Sequence, residues 1–281
     1  MTTMRCFPLL KTVLDEVWQQ LPGSSDAEKV TAIRAKESYL REHYGKLSTG
    51  TVALDYADPA TRYVYLCCYV TSHANIVADL IAQSEPLKTL FAQEKVQATC
   101  VGGGPGSDLL GVLKFLDGQS YKPRLKFFLY DREQAWSESW SDVDDKVGAE
   151  ISTYFQPFDV ADESTWKKNV KYLQSDLFTM IYFASEVHAI RDKAAPFFEN
   201  LFQAAKSGAM FLYVDNASSV FFQWFDERFT GRGINVLASN DSAQLRLPNA
   251  EEKTDLGDHY HRIEGQPKIT ANVAYRVLRK A

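Results

Sequence analysis

Gln97-Ala-Thr-Cys-Val101, followed by Gly102-Gly-Gly-Pro-Gly106-Ser-Asp108, joins a short apolar run to a glycine-rich bend and an acid. The run predicts a buried strand, Gly102, Gly104 and Gly106 a tight turn, and Ser107-Asp108 the opening of a helix. Glycine is needed there because a Cβ would hold a ligand off the backbone, while the free N–H groups at the helix start form a polar cradle. A nucleotide-type ligand is the expectation, and a side chain at Gly104 is expected to block it without unfolding the chain. The dinucleotide fingerprint wants its third glycine where this chain has Ser107, which speaks against NAD and leaves a dehydrogenase as a distant reading.

Working outward, Leu125 to Tyr130 is a second apolar strand, and it ends on Asp131, 25 residues after Gly106. An acid at that strand end can accept both ribose hydroxyls. Ile151 to Phe158 closes on Asp159, and Asp176 to Phe183 gives a fourth strand that leads into Ala184-Ser-Glu186-Val-His188. A helix from about Ala194 to Lys206 is expected to stop at Gly208, with Ala209 to Val214 as a fifth strand. Strand and helix alternate throughout, the pattern of an α/β sheet.

In order and spacing, these segments resemble the class I S-adenosylmethionine-dependent methyltransferases over roughly residues 95 to 281. Gly102, Gly104 and Gly106 look like that family's first motif, Asp131 like its ribose-binding acid, Asp159 like its adenine-contacting acid and Phe183-Ala-Ser-Glu186 like its fourth motif. Glu186-Val-His188 through Lys206-Ser-Gly208 to Phe211-Leu-Tyr-Val-Asp215 is similar to its pattern of histidine, helix, Lys-x-Gly turn and strand. The resemblance implies a Rossmann-like, mostly parallel seven-stranded sheet with helices on both faces. It also implies S-adenosyl-L-methionine as cofactor, bound by Gly102, Gly103, Gly104, Gly106, Ser107, Asp108, Asp131, Arg132, Phe158, Asp159 and Ser185. One position departs from the family: Cys100 stands where an acid often contacts the methionine amino group, with Asp108 or Ser107 as replacements. The Asn/Asp-Pro-Pro-aromatic clamp is also missing, with Ala184-Ser-Glu-Val187 in its place, which disfavours methylation of adenine N6 or glutamine side chains.

The implied reaction is in-line methyl transfer, in which the protein mainly aligns the two reactants and keeps water out. A base is required only for an acceptor that arrives protonated. Glu186, at the carboxyl end of a strand, and His188 just after it are the catalytic candidates; His188 is equally readable as a structural hydrogen-bonding group.

Residues 1–94 differ in character and predict a helical N-terminal subdomain for acceptor recognition ahead of a 95–281 core. Phe7, Leu10, Val13, Leu14 and Val17 keep helical spacing, Ser25-Asp-Ala-Glu28 is a capping-box pattern, and Asp58-Pro59 opens a third helix running to about Gln83. Along that helix Tyr63, Leu66, Val70, His73, Val77 and Leu80 form first of all a packing stripe; Tyr69 and His73 are acceptor-pocket candidates. The 240 to 265 stretch is expected to be a loop that helps roof the pocket.

With 281 residues, 45% hydrophobic and 24% charged, the chain can bury one large α/β core plus a smaller unit. Neither a secretory signal nor a membrane anchor is evident, and no stretch approaches about 18 unbroken apolar residues. Four cysteines without metal-ligand spacing fit a reducing compartment; cytoplasm is the default, with the nucleus left open. A net charge of −5 does not indicate nucleic acid. Lys29, Arg34, Lys36 and Arg41 alternate with Glu28, Glu37 and Glu42, as on a solvated helix face. Asp255 to His261 carries zinc-type ligands in a polar loop, where a turn or lid is expected and no metal. Three functional readings remain: a methyltransferase with a small-molecule or protein acceptor, an RNA methyltransferase docked through the N-terminal helices, and a non-catalytic S-adenosylmethionine-binding sensor or subunit, kept open by Cys100.

Overall fold

The computed structural model describes residues 4–51, 53–140, 151–168, 170–247 and 251–281. Helix α1 (Cys6–Gln20) buries Phe7, Leu10, Val13, Leu14 and Val17, the stripe its spacing requires. In α2 (Asp26–Tyr44), the Ser25 hydroxyl accepts the Glu28 N–H at 3.3 Å, while the Glu28 carboxylate reaches back to the Ser24 N–H at 2.6 Å. Asp58 caps α3 (Pro59–Tyr65), its carboxylate accepting the N–H groups of Ala60 at 2.7 Å and Thr61 at 3.2 Å. That helix passes through a π turn at Leu66–Val70 into α4 (Thr71–Gln83), and α5 (Glu85–Phe91) follows. The run Pro59–Gln83 is apolar enough in length to cross a membrane, and 83% of its most apolar window is buried inside the protein.

Seven strands form one sheet in the order β3-β2-β1-β4-β5-β7-β6. They are β1 (Lys95–Val101), β2 (Arg124–Asp131), β3 (Ile151–Pro157), β4 (Leu177–Ile181), β5 (Met210–Asn216), β6 (Ile234–Arg246) and β7 (Thr270–Lys280). The expectation of a mostly parallel sheet is corrected here: the sheet is mixed. Its four pairings among β1 to β5 are parallel, and both pairings of β7, with β5 and with β6, are antiparallel. Chain direction leaves no trace in a two-residue apolar period, so the sequence could not reveal the reversal. Two assigned boundaries also move. The helix after β4 ends at Ala204, with Gly208 making a left-handed turn into β5, and residues 240–246 of the expected loop belong to β6.

Alternation along the strands divides two cores. Val96, Ala98, Cys100, Phe127, Leu129, Leu212 and Val214 face one side; Val101, Tyr130, Phe178, Met180, Phe211 and Tyr213 face the other. The second side is covered by Phe197, Phe198, Leu201, Phe202 and Phe225. The first is covered by α6 (Ser107–Asp117) together with the N-terminal helices, whose Phe7, Ile33, Tyr63, Val70 and Ile76 belong to the same cluster as β1 and β2. The helical N-terminal portion therefore shares a core with the sheet. Lys114 of α6 and Glu251 tie this layer further: they form a buried ion pair, and Glu251 also accepts the Cys6 N–H at 3.0 Å and the Asn75 side-chain amide at 3.2 Å. The carboxyl ends of β1, β2 and β4 meet at one edge, where the strand order departs from β1 in both directions. In open α/β sheets that crevice is where ligands bind.

Candidate active site

A slot of about 130 Å³ opens at this edge, lined by Gly102, Pro105, Asp131, Arg132, Phe158, Asp159, Phe183 and Glu186 and covered by Ala53 to Tyr56 and Trp136. The bend that forms one side is held to β2, since the N–H groups of Gly102 and Gly103 both donate to the Tyr130 carbonyl, at 2.7 and 3.3 Å. Gly102 and Gly106 have φ of +69° and +79°, the left-handed region where glycine is unstrained. Gly104 is required for a different reason from the one expected. A Cβ there would lie 2.3 Å from Trp136 Cδ1 and 2.6 Å from Asp131 Oδ2, and one at Gly106 would lie 2.1 Å from Trp140. Both glycines face the chain's own tryptophans, so of the three only Gly102 borders the slot.

Asp131 closes the far side. Its Oδ2 accepts the Gly104 N–H at 3.0 Å and its Oδ1 the Glu133 N–H at 2.9 Å, so bend and β2 terminus are locked together while each oxygen keeps lone pairs toward the slot. Burial pushes this carboxyl up to about 6. Phe158 stacks on Tyr130 at 4.6 Å, and Asp159 accepts the Ala161 N–H at 2.9 Å. Opposite stands Glu186, whose Oε1 accepts the Tyr56 hydroxyl at 2.7 Å. Burial pushes it up to about 8; the Tyr56 hydrogen bond works against this, and the nearby Asp131 and Asp215 carboxylates add to it.

No family model matches the chain, and no curated protein matches it. Among solved structures, an O-methyltransferase family protein from Burkholderia thailandensis superposes with a TM-score of 0.51 at 11% identity, over 94% of this chain and 75% of that one. The fold is that of the class I S-adenosylmethionine-dependent methyltransferases. Two further structures are similar at lower scores. One is an S-adenosylmethionine-dependent methyltransferase from Clostridium acetobutylicum, with a TM-score of 0.45 and 9% identity over 87% of this chain and 99% of that one. The other is the mitomycin 7-O-methyltransferase MmcR, with a TM-score of 0.44 and 16% identity over 79% of this chain; the chain spans 57% of its length.

On this methyltransferase fold, the residues expected at the cofactor separate into two groups. Gly102, Asp131, Arg132, Phe158 and Asp159 line the slot, as does Glu186; Gly103, Gly104, Gly106, Ser107, Asp108, Ser185 and His188 do not. Asp108 lies buried behind the bend, where the Thr179 hydroxyl donates to it, and burial pushes it up to about 7. Ser185 serves the fold: its N–H donates to Asp215 at 2.8 Å and its hydroxyl to the Tyr182 carbonyl at 3.2 Å. His188 is buried edge-on against Phe221, 5.2 Å between ring centres, and burial holds it below its ordinary range. The 240 to 265 stretch, of which residues 248–250 lie outside the described part, contributes no lining residue to the slot. His259 within it is buried between Tyr63 at 2.7 Å and Asp15 at 2.8 Å, so both ring nitrogens are occupied.

Tyr69 and His73 do meet, in a second cavity of about 390 Å³ that Tyr44, Tyr65, Tyr182, Phe221 and Lys268 also line. The two cavities flank the β4 terminus, where Tyr182 faces one and Phe183 the other. Tyr182 holds φ at +57°, a strained conformation for a bulky residue, and this twist points consecutive side chains into different cavities. A row of hydroxyls also joins them: Tyr44 of the second cavity lies 2.9 Å from Tyr56, which donates to Glu186 in the slot. Trp136, which the sequence reads first as a core residue and second as a flank for adenine, covers the slot; Tyr44 and Tyr56 were not expected as site residues. Only the aromatic density near residue 60 hinted at them, and that density is equally a sign of packing.

Proposed function

We propose that this protein is an S-adenosylmethionine-dependent methyltransferase acting on a small-molecule acceptor. The observation that carries the reading is one slot, at the carboxyl edge of a methyltransferase-type sheet, that gathers Gly102, Asp131, Phe158, Asp159 and Glu186. These residues fit the cofactor's parts: the Asp131 lone pairs suit two ribose hydroxyls, Phe158 and Asp159 offer an apolar face and an acceptor for adenine, and the Glu186 carboxylate suits the positive end. Trp136 and Trp140 cover the distal glycines, so the amino-acid portion belongs beside Gly102 and Phe183 rather than along the whole bend.

When bound, the cofactor supplies a methyl group on cationic sulfur, whose carbon–sulfur bond breaks as the bond to the acceptor forms. The chain's own work is alignment, exclusion of water and handling of the acceptor's proton. For a hydroxyl acceptor, that proton passes along Tyr44 and Tyr56 to Glu186, each hydroxyl giving its own proton onward as it receives one. An RNA acceptor finds less support, because three cations of α2 are committed within the protein, and the fourth, Arg41, shares a cavity wall with Glu37. Lys29 donates to the Trp18 carbonyl at 2.9 Å, Arg34 pairs with Glu264 at 3.2 Å and Lys36 with Asp58 at 2.9 Å. The non-catalytic reading rested on Cys100, and Glu186 supplies a carboxylate at the slot in any case.

Calorimetry with S-adenosylmethionine and S-adenosylhomocysteine tests the cofactor, and failure of both to bind refutes the proposal. Incubation of extract, fractionated into RNA, protein and metabolites, with methyl-labelled cofactor tests the acceptor. Label in metabolites is the expected result, label in RNA supports the second reading, and tight binding without label supports the third.

A further inference from the structure

The second cavity carries polar groups the fold leaves unsatisfied. His73 is 3% exposed and Tyr182 5% exposed, yet His73 Nε2 and the Tyr182 hydroxyl have no hydrogen-bond partner among the described residues. Lys268, half-buried in the same wall, makes no ion pair among the described residues, and its ammonium stands 5.3 Å from the centre of the Tyr182 ring. Asp215 is the carboxylate whose field reaches it, but that group is taken by the N–H groups of Ser185 at 2.8 Å and Asn216 at 2.7 Å. An unpaired ammonium and two orphaned polar atoms in one wall are costly to an empty protein and useful only when something fills the space.

The remaining wall says what shape fills it. Tyr44, Tyr65 and Tyr69 are mutually packed, with Tyr44 and Tyr69 at 5.0 Å and Tyr65 and Tyr69 at 5.4 Å, and His73 stacks on Tyr182 at 3.9 Å with ring planes 15° apart. Tyr69 comes from the π turn Leu66–Val70, a departure from regular helix of the kind frequent at functional sites. A neighbouring cavity of about 420 Å³ shares Tyr69 and Lys268 and adds the opposite charges of Arg41 and Glu37, the Glu37 carboxylate accepting the N–H groups of Glu264 at 3.0 Å and Gly265 at 2.7 Å. Flat aromatic walls suit a ring, and the Lys268 ammonium repels an amine while attracting an acid.

We propose that this cavity is the acceptor pocket and that it selects a planar ring compound bearing a carboxylate, received by the Lys268 ammonium, with further polar substituents meeting His73 Nε2 and the Tyr182 hydroxyl. The word acceptor rests on the methyltransferase reading; the preference for an anionic ring does not.

The test is calorimetric titration of the full chain, cofactor-free and saturated with S-adenosylhomocysteine. The probes are 4-hydroxybenzoate and 6-hydroxy-2-naphthoate, each against its neutral amide. At least one acid is expected to bind about tenfold or more tighter than its amide. Lys268→Gln is expected to bring that ratio close to one, and Lys268→Arg to keep it, with unchanged near-ultraviolet circular dichroism showing both variants folded. Equal binding of acid and amide, no binding of either acid at millimolar concentration, or an undiminished ratio in Lys268→Gln overturns the proposal. Absence of S-adenosylhomocysteine binding refutes the methyltransferase reading alone, because the acid-to-amide ratio of the cofactor-free protein still decides the pocket's preference.

Discussion

Replacing Asp131 by Asn separates what this residue does for the fold from what it does for the ligand. The shape is kept, but one carboxylate oxygen becomes an amide NH₂. Two charge-assisted hydrogen bonds to ribose hydroxyls, worth roughly 1.5–3 kcal/mol each, are replaced by one neutral bond worth about 1 kcal/mol. The net loss of about 2–5 kcal/mol corresponds to a roughly 30- to 5000-fold weaker Kd for S-adenosylhomocysteine. Stability responds differently. Burial raises this carboxyl from an ordinary 3.8 to about 6, so ionising it costs the empty fold on the order of 3 kcal/mol, a burden the amide does not carry. Against that, either the Gly104 or the Glu133 N–H now faces a donor, at about 1–3 kcal/mol. The two nearly cancel, and Tm is expected to stay within roughly 4 °C of the parent. The sign with pH follows from a raised carboxyl: the burden is absent below about pH 4 and complete above about pH 6, so the variant gains on the parent across that window. Calorimetric titration and scanning calorimetry read the two quantities on the same sample. An unchanged Kd in a folded variant would show that Asp131 does not hold the ribose.

Affinity for S-adenosylmethionine is expected to strengthen between pH 7 and 9, as Glu186, pushed up to about 8, ionises beside the cationic end, and Glu186→Gln should flatten that dependence; a parallel profile in parent and variant would count against the contact. Glu251→Gln strips the buried Lys114 ammonium of its partner and is expected to destabilise the fold by about 3–5 kcal/mol in urea unfolding, and a loss below about 1 kcal/mol would mean the pair is not buried as described. Gly104→Ala places a methyl against Trp136 and is expected to cost about 1–3 kcal/mol and shift tryptophan fluorescence, so loss of binding with unaltered stability and emission would restore the expectation that Gly104 faces the ligand.

Legibility in the sequence followed physical contrast. Strands β1, β4 and β5 carry dense apolar runs because both of their faces are covered, whereas β2 and the edge strand β3 are more exposed; the glycine bend, Asp131 and Asp159 stand at or just past the ends of β1, β2 and β3, where a strand-terminus reading places them. Strand β6 was missed because it is an edge strand with most residues exposed, so Ile234 to Arg246 lacks the apolar period that marks a strand. The contacts of Trp136 and Trp140 with Gly104 and Gly106 join residues about 30 positions apart through a turn whose path no local pattern encodes. His73 sat on a stripe legible as core, with Tyr69 beside it, and both aspects hold: the stripe packs, and its departure from helical regularity at Leu66–Val70 accompanies the opening of a cavity on one side.

Among the acids gathered at the sheet edge, partners distinguish structure from function. Asp215, pushed up to about 6 by burial, accepts two backbone N–H groups and fixes the turn after β4, a role that holds with the slot empty. Asp108 is bound by the Thr179 hydroxyl behind the bend. Asp131 accepts two backbone N–H groups and still borders the slot, so it serves both purposes. Glu186 is different, because its hydrogen-bond donor among the described residues is the neutral Tyr56 hydroxyl and its electrostatic surroundings include the like charges of Asp131 and Asp215. Nothing in the folding of helix or strand requires an acid at that position, and burial with like charges makes it expensive to ionise. A side chain that the fold holds at a cost, beside a slot and at the end of a row of hydroxyls reaching the second cavity, makes sense when a cation enters one cavity and a proton leaves the other.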